Sequence, residues 1–283
     1  MITLDQAIGD ALGAPVINRI AIGGGDINQA ARVHLADRRV AFVKHHPDAP
    51  PGAFTAEARG LSWLAEAHAV RIPAVLAVRD EPPAFLALEW IEPGVPAPDY
   101  SERLGRGLAA LHAAGAAHVG PPDAPPDVAA LTWPEFYAQE RLLPEIRAAR
   151  SDGLLPAPVA AALERVCDRI AELCGPSEPT ARLHGDLWAG NAIVDAEGGP
   201  CLVDPHAYGG DREVDLAMMR LFGGFDRDCY AAYAQAWPLA PGAVDRVALY
   251  QLYPLLRHLR LFGSAYLGSL VMAVQRYESV DSP

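Results

Sequence analysis

His184-Gly185-Asp186-Leu187-Trp188-Ala189-Gly190-Asn191, followed thirteen positions later by Asp204, is the stretch on which the reading of this chain turns. It sets a carboxylate, an amide and a second carboxylate in order around a short hairpin. Ala192 to Asp195 and Cys201 to Asp204 read as its two strands, with Glu197-Gly198-Gly199 as the turn. An Asp or Asn alone in a loop reads as a turn cap. The spaced set asks for more: a carboxylate able to take a proton, and two oxygen ligands for a hard cation such as Mg²⁺. Phosphoryl transfer from ATP needs that combination.

Upstream of this stretch the chain changes character once. Val16 to Gly23, Ala30 to Leu35, Val40 to Lys44, Val75 to Val78 and Phe85 to Trp90 read as five antiparallel strands. Phe54, Ala58, Leu61 and Leu64 recur at helical spacing between the third and fourth, and Arg71-Ile72-Pro73 ends that helix. Glu92 to Pro98, with three prolines and a glycine, reads as a linker. Helical patterns follow over Arg103 to His112, Glu135 to Arg150, Val159 to Leu173 and most of the chain from Asp211. The expectation is an α+β chain in two lobes, residues 1–92 and residues 93–283. The first is a five-stranded antiparallel sheet with one helix, and the second is mostly helical around the hairpin.

The order His-x-Asp, Asn five residues after the Asp, and a further Asp across a hairpin is similar to the catalytic loop of the protein-kinase fold. That resemblance makes Asp186 the general base and Asn191 and Asp204 the metal ligands. Lys44 ends a Val-Ala-Phe-Val-Lys strand, where this fold places the lysine that touches the α- and β-phosphates. Glu57, on the helix that follows, is the expected ion-pair partner that aims it. Gly23-Gly24-Gly25 is no Walker pattern, but between the first two strands it lets backbone N–H groups approach phosphate oxygens. Leu88 is expected behind the adenine, with the Glu89 C=O and the Ile91 N–H pairing its edge. Asp215 reads as a brace for the catalytic loop and His184 as a buried anchor.

The runs GGGDINQA, AFVKHH, AEARGLSWLAE, FLALEWIE, LGRGLAALH, LHGDLWAGN, LVDPHAYGGDREVDLAMMRLFGGF and YQLYPLLRHLRLFGSAYLG resemble the fructosamine (ketosamine) kinases nearly end to end. That family lies within the aminoglycoside phosphotransferase and choline kinase superfamily. HGDLxxGN marks the superfamily; Trp188 and DPHAYGGDREVDLAM are more specific to the family. The resemblance implies Mg·ATP-dependent phosphorylation of the third-carbon hydroxyl of ketoamines, small or protein-bound. The phosphorylated adduct decomposes and frees the amine, a deglycation repair. It also puts Trp188, His206 and Tyr208 on the acceptor side. Some members carry a Cys in the glycine loop; here that region is Gly-Gly-Gly-Asp, so no disulfide there is expected. Another small-molecule kinase of the superfamily is the alternative reading, and a pseudokinase is opposed by the presence of Lys44, Asp186, Asn191 and Asp204.

Composition bounds the rest. With 23 Lys and Arg against 35 Asp and Glu, the formal charge is −12, which argues against a nucleic-acid partner. No apolar run reaches the ~18 residues of a membrane span, and MITLDQAIGD lacks the plan of a signal peptide. Four cysteines without a CxxC pair read as buried thiols. A cytoplasmic enzyme follows as the expectation, monomeric, with a dimer as the alternative.

Overall fold

A computed structural model describes residues 2–23 and 29–278. The chain opens with α1 (Leu4–Leu12), then β1 (Val16–Ile22), β2 (Gln29–Leu35), β3 (Val40–His45), α2 (Ala53–Ala65), β4 (Val75–Arg79) and β5 (Phe85–Glu89). The strands form one antiparallel sheet in the order β1-β2-β3-β5-β4. The five expected strands and the helix after β3 are all present. An additional helix, α1, precedes them. Its start is a capping box in which the Thr3 hydroxyl accepts from the Gln6 N–H and the Gln6 side chain accepts from the Thr3 N–H.

Alternation along the strands decides which face of the sheet does what. Ala31, Val33, Ala41, Val43, Phe85 and Ala87 turn one way and are buried with Ile8 and Leu12 of α1. Ala30, Arg32, Phe42 and Lys44 fall on the opposite face, where Lys44 sits between Ala30 and Leu86 in register. That second face carries the cleft.

Beyond the sheet come α3 (Tyr100–Ala113), α4 (Pro126–Ala129), α5 (Trp133–Phe136), a π-helical turn (Tyr137–Leu142), α6 (Leu143–Ser151), α7 (Ala157–Asp168) and α8 (Ile170–Leu173). Three short strand segments and a 3-10 turn then build the loop region: β6 (Ala181–Leu183), the turn Ala189–Asn191, β7 (Ala192–Val194) and β8 (Pro200–Leu202). β9 (Tyr208–Gly210) pairs with β6, and α9 (Glu213–Phe222), α10 (Arg227–Ala236), α11 (Ala243–Phe262) and α12 (Leu267–Glu278) complete the fold. A large apolar core joins α6, α7, α9, α11 and α12.

The linker does not hang free. The Gly94 N–H donates to Val194 O (3.1 Å) and the Ala97 N–H to Gly198 O (3.0 Å), so the prolyl segment lies along the hairpin. A side chain at Gly94 would meet Asp195 O at 2.0 Å, which explains the glycine there. Arg71 completes the stitching, with Nη2 on Glu89 (2.8 Å) and Nη1 on Asp195 (3.0 Å) and Glu197 (3.4 Å).

Candidate active site

The loop is held by one buried carboxylate. Asp215, on the first turn of α9, accepts the His184 N–H at Oδ2 (2.7 Å) and the Gly185 N–H at Oδ1 (2.8 Å). His112, at the end of α3, approaches the same carboxylate through Nε2 (3.1 Å), and its Nδ1 meets the Tyr233 hydroxyl (2.8 Å). Burial alone would push the Asp215 carboxyl up; the His112 hydrogen bond and charge and the loop N–H groups outweigh it and hold it below the usual range.

His184 is fully buried and serves the loop rather than the reaction. Its Nε2 lies 2.9 Å from Val203 O and its Nδ1 accepts the Asp186 N–H (3.3 Å), a pattern that a neutral ring with the proton on Nε2 satisfies. Gly185 has φ +82°, and a Cβ there would lie 2.1 Å from His206 O and 2.9 Å from the Tyr208 ring. No other residue fits that position.

These anchors leave Asp186 in the cleft. Burial, then the charges of Asp204 and Asp215, push its carboxyl up from 3.8 to about 6. Asn191 points its Nδ2 inward, to Asp186 O (2.8 Å) and more weakly to Asp186 Oδ2 and Asp204 O (both 3.4 Å). No hydrogen bond among the described residues uses its Oδ1.

Asp204 lies two residues past the end of β8, with φ +54°. The expected strand therefore stops short of it, and a left-handed turn swings its carboxylate toward the sheet. There it meets Lys44 Nζ at 2.5 Å, while Glu57 Oε1 holds the same nitrogen at 2.8 Å. Lys44 is buried; burial would lower its proton affinity, but the two carboxylates outweigh it and hold the ammonium above its ordinary value.

The donor set suits a nucleotide with its metal. Among the described residues no three His, Cys, Asp or Glu side chains converge as a cage. Mg²⁺ typically takes one or two carboxylates and fills its other positions with phosphate oxygens and water, and here Asp204 and the Asn191 Oδ1 are the groups available. The crowd of negative charge that lifts Asp186 is itself a reason for a cation to bind. Ile91, two residues past the end of β5, is buried, and its N–H meets no protein acceptor among the described residues. Leu88 is buried opposite Phe42. The Glu89 N–H is on Ala74 O (2.8 Å) and its carboxylate is on Arg71. Gly23 ends the description of the first hairpin, and Gly24 and Gly25 lie outside the described residues.

On the acceptor side the three expected residues part company. Trp188 keeps 44% of its surface exposed, with its ring folded over Gly190, where a Cβ would be 2.2 Å from it. His206 borders the loop, its N–H on His184 O (2.9 Å). The protein packed around His206, then the charges of Arg141 and Arg257, push its imidazole down to about 4. Because that ring retains an exposed face, the two cations are the firmer part of the cause, and the consequence is a neutral ring at pH 7. Tyr208 is buried in β9 beneath Gly185, so its ring packs under the loop rather than lining an open surface. Arg141, Arg257 and His112 went unread in the sequence, because no local pattern distinguishes them from surface arginines or a helix histidine. No helix among the described residues is long and apolar enough to cross a membrane.

The family model for fructosamine kinase matches residues 2–279. A Thermus thermophilus protein named as a probable ketoamine kinase is 41% identical over 264 residues, covering 90% of this chain and 92% of its own. The chloroplastic protein-ribulosamine 3-kinase of Oryza sativa subsp. indica is 32% identical, covering 91% and 78%. A crystal structure from Thermobifida fusca, assigned as a fructosamine-3-kinase, superposes with a TM-score of 0.87 at 39% identity, covering 97% and 98%. The sheet-plus-helices architecture is the protein-kinase-like one shared with small-molecule phosphotransferases. The chain belongs to the fructosamine kinase family and is a kinase.

Proposed function

We propose that this kinase phosphorylates the third-carbon hydroxyl of ketoamines, preferring ribulosyl over fructosyl adducts, and that loss of the phosphorylated sugar then frees the amine. The observation that carries the phosphoryl-transfer part of the reading is the meeting of Lys44 with Asp204 at 2.5 Å, from opposite lobes, beside Asp186 and Asn191. When bound, Mg·ATP supplies the phosphoryl group and the divalent charge that steadies the phosphates.

The chain's own residues do the rest. Lys44, aimed by Glu57, binds the α- and β-phosphate oxygens, and Asp204 and Asn191 are the metal ligands. The Glu89 C=O and Ile91 N–H take the adenine edge, with Leu88 behind it, and Gly23 to Gly25 approach the phosphates. Asp186 orients the acceptor hydroxyl and takes its proton as the new O–P bond forms and the β–γ bridging P–O bond breaks. Burial and the neighbouring acids lift that carboxyl to about 6, above an ordinary aspartate. Trp188 and His206 border the acceptor. The lobes of residues 1–92 and 93–283 close on the nucleotide as a cytoplasmic monomer.

The names of the Thermus and rice relatives support the acceptor class. The deciding measurement is kcat/KM for ribulosyl-lysine, fructosyl-lysine, kanamycin and choline at one Mg·ATP concentration, with free lysine assayed after turnover. Ribulosyl-lysine should lead. A preference for kanamycin or choline would end the ketoamine reading and leave the kinase intact.

A further inference from the structure

Arg32 is a cation on the cleft face of the sheet that an acid holds only loosely. It stands at the middle of β2, in register with Phe42 of β3, which is in turn in register with Leu88 of β5. Its guanidinium carbon lies 4.5 Å from the centre of the Trp90 ring, and Nη2 makes one long approach, 3.5 Å, to Glu92 Oε2. Its Nε is buried and has no acceptor among the described residues. The side chain keeps 33% of its surface exposed, so it is open to solvent rather than sealed. An arginine fork has more N–H groups than these contacts employ.

Glu92 is the complement. Its Oε2 accepts the Trp90 Nε1–H at 2.7 Å, and no hydrogen bond among the described residues uses its Oε1. A donor with N–H groups to spare therefore stands beside an acceptor with an oxygen to spare, and Trp90 touches both.

Position assigns the pair to one part of the nucleotide. Trp90 and Glu92 flank Ile91, the proposed base contact. Arg32 is two residues along β2 from Ala30, the register partner of Lys44, which is the proposed phosphate contact. Two residues of strand span about 7 Å. The sugar of a nucleoside 5′-phosphate joins base to phosphate, so it falls in the interval between Ile91 and Lys44 that Arg32 borders. A ribose carries neighbouring hydroxyls, each able to accept one hydrogen bond and donate another, and a spare N–H beside a spare carboxylate oxygen matches that pattern.

We propose that Arg32 and Glu92 form the sugar subsite of the nucleotide site. Arg32 donates to a ribose hydroxyl oxygen and Glu92 accepts a ribose hydroxyl proton at Oε1, so the enzyme selects ribonucleotides over deoxyribonucleotides. This rests on the nucleotide site read from Ile91 and Lys44, and it is independent of which acceptor the kinase takes.

Arg32→Met keeps a stem against the Trp90 ring and removes the donors. In Glu92→Gln the Trp90 N–H claims the amide oxygen, so an NH2 group takes the place of Oε1 and an acceptor becomes a donor. Calorimetry with Mg²⁺ and ADP, 2′-deoxy-ADP or 3′-deoxy-ADP reads the subsite with no phosphoryl acceptor present. A site built to bond a hydroxyl rejects the analogue that lacks it. With a charge-assisted hydrogen bond at stake, native protein should bind ADP at least about tenfold more tightly than one of the deoxy forms. Each variant should weaken ADP about tenfold and leave the deoxy form that lacks its own hydroxyl within about threefold. The melting temperature of the nucleotide-free variants should stay close to native. Equal affinity of native protein for ADP and both deoxy forms overturns the subsite. So does parallel weakening of all three ligands in either variant, the result expected of a strut that merely pins β2 to the linker. ADP affinity unmoved by Lys44→Ala would instead break the nucleotide site itself, and the subsite with it.

Discussion

Replacing Asp186 by Asn should make the protein more stable and nearly inactive at the same time. The carboxyl rises from its ordinary 3.8 to about 6 because it is half-buried and shares the cleft with Asp204 and Asp215. At about 1.4 kcal/mol for each tenfold change in proton affinity, the ionised form costs the fold at most about 3 kcal/mol. Residual exposure and coupling to Asp204 reduce that to about 1–2 kcal/mol, or a few degrees in melting temperature. The amide gives up little, because among the described residues the side chain of Asp186 makes just the weak 3.4 Å contact with Asn191. The sign follows from linkage. A carboxyl whose folded pKa is raised binds its proton more tightly when folded, so the penalty is absent below about pH 4 and full above about pH 6. The gain from Asp186→Asn should therefore appear in urea titrations at pH 8 and vanish at pH 4, and Mg²⁺ with nucleotide should narrow it. Turnover should drop by roughly 10²- to 10⁴-fold. Equal stability of the two proteins at pH 8, or turnover within threefold of native, would refute the reasoning.

Three further substitutions probe the cross-lobe contact and the loop. Asp204→Ala should abolish saturable Mg²⁺ dependence, and Lys44→Ala should raise the KM for ATP while leaving the Mg²⁺ requirement in place; a native-like Mg²⁺ titration of Asp204→Ala would remove it from the metal site. Gly185→Ala forces an L-residue to φ +82° and drives a methyl into His206 O. It should cost about 2 kcal/mol or more of stability along with most of the activity, and unchanged melting and kcat would contradict the packing described for the loop.

Much of this site was readable in one dimension because its chemistry is carried by spacing. Asp186, Asn191 and Asp204 keep fixed offsets along one loop and hairpin, and Lys44 follows from the strand that carries it. Two of the strands were legible for a similar reason: burial alternates along β2 and β4, and alternation is local. Thr3 and Gln6 mark the start of the first helix, but its amphipathic run of nine residues is a weak local signal. What could not be read depends on contacts made across the chain. Nothing near Asp204 announces a left-handed backbone two residues beyond β8. Tyr208 looks as accessible as Trp188 until β9 is paired with β6 and buried. Arg141 acquires meaning only when rings 67 and 112 positions further along, Tyr208 and Tyr253, close around it.

The stitching of the Gly94–Ala97 linker and Arg71 onto the hairpin has a mechanical consequence. In a two-lobed enzyme joined by a slack tether, opening the cleft would pull the adenine edge away from the metal site. Here the end of β5 and the hairpin that precedes Asp204 are tied by backbone bonds at 3.0 and 3.1 Å and by one arginine gripping acids on both. The path from Ile91 to Asp204 is thereby braced at both ends rather than left to a slack chain, and Lys44, on the strand paired with β5 over five residues, is carried by the same frame.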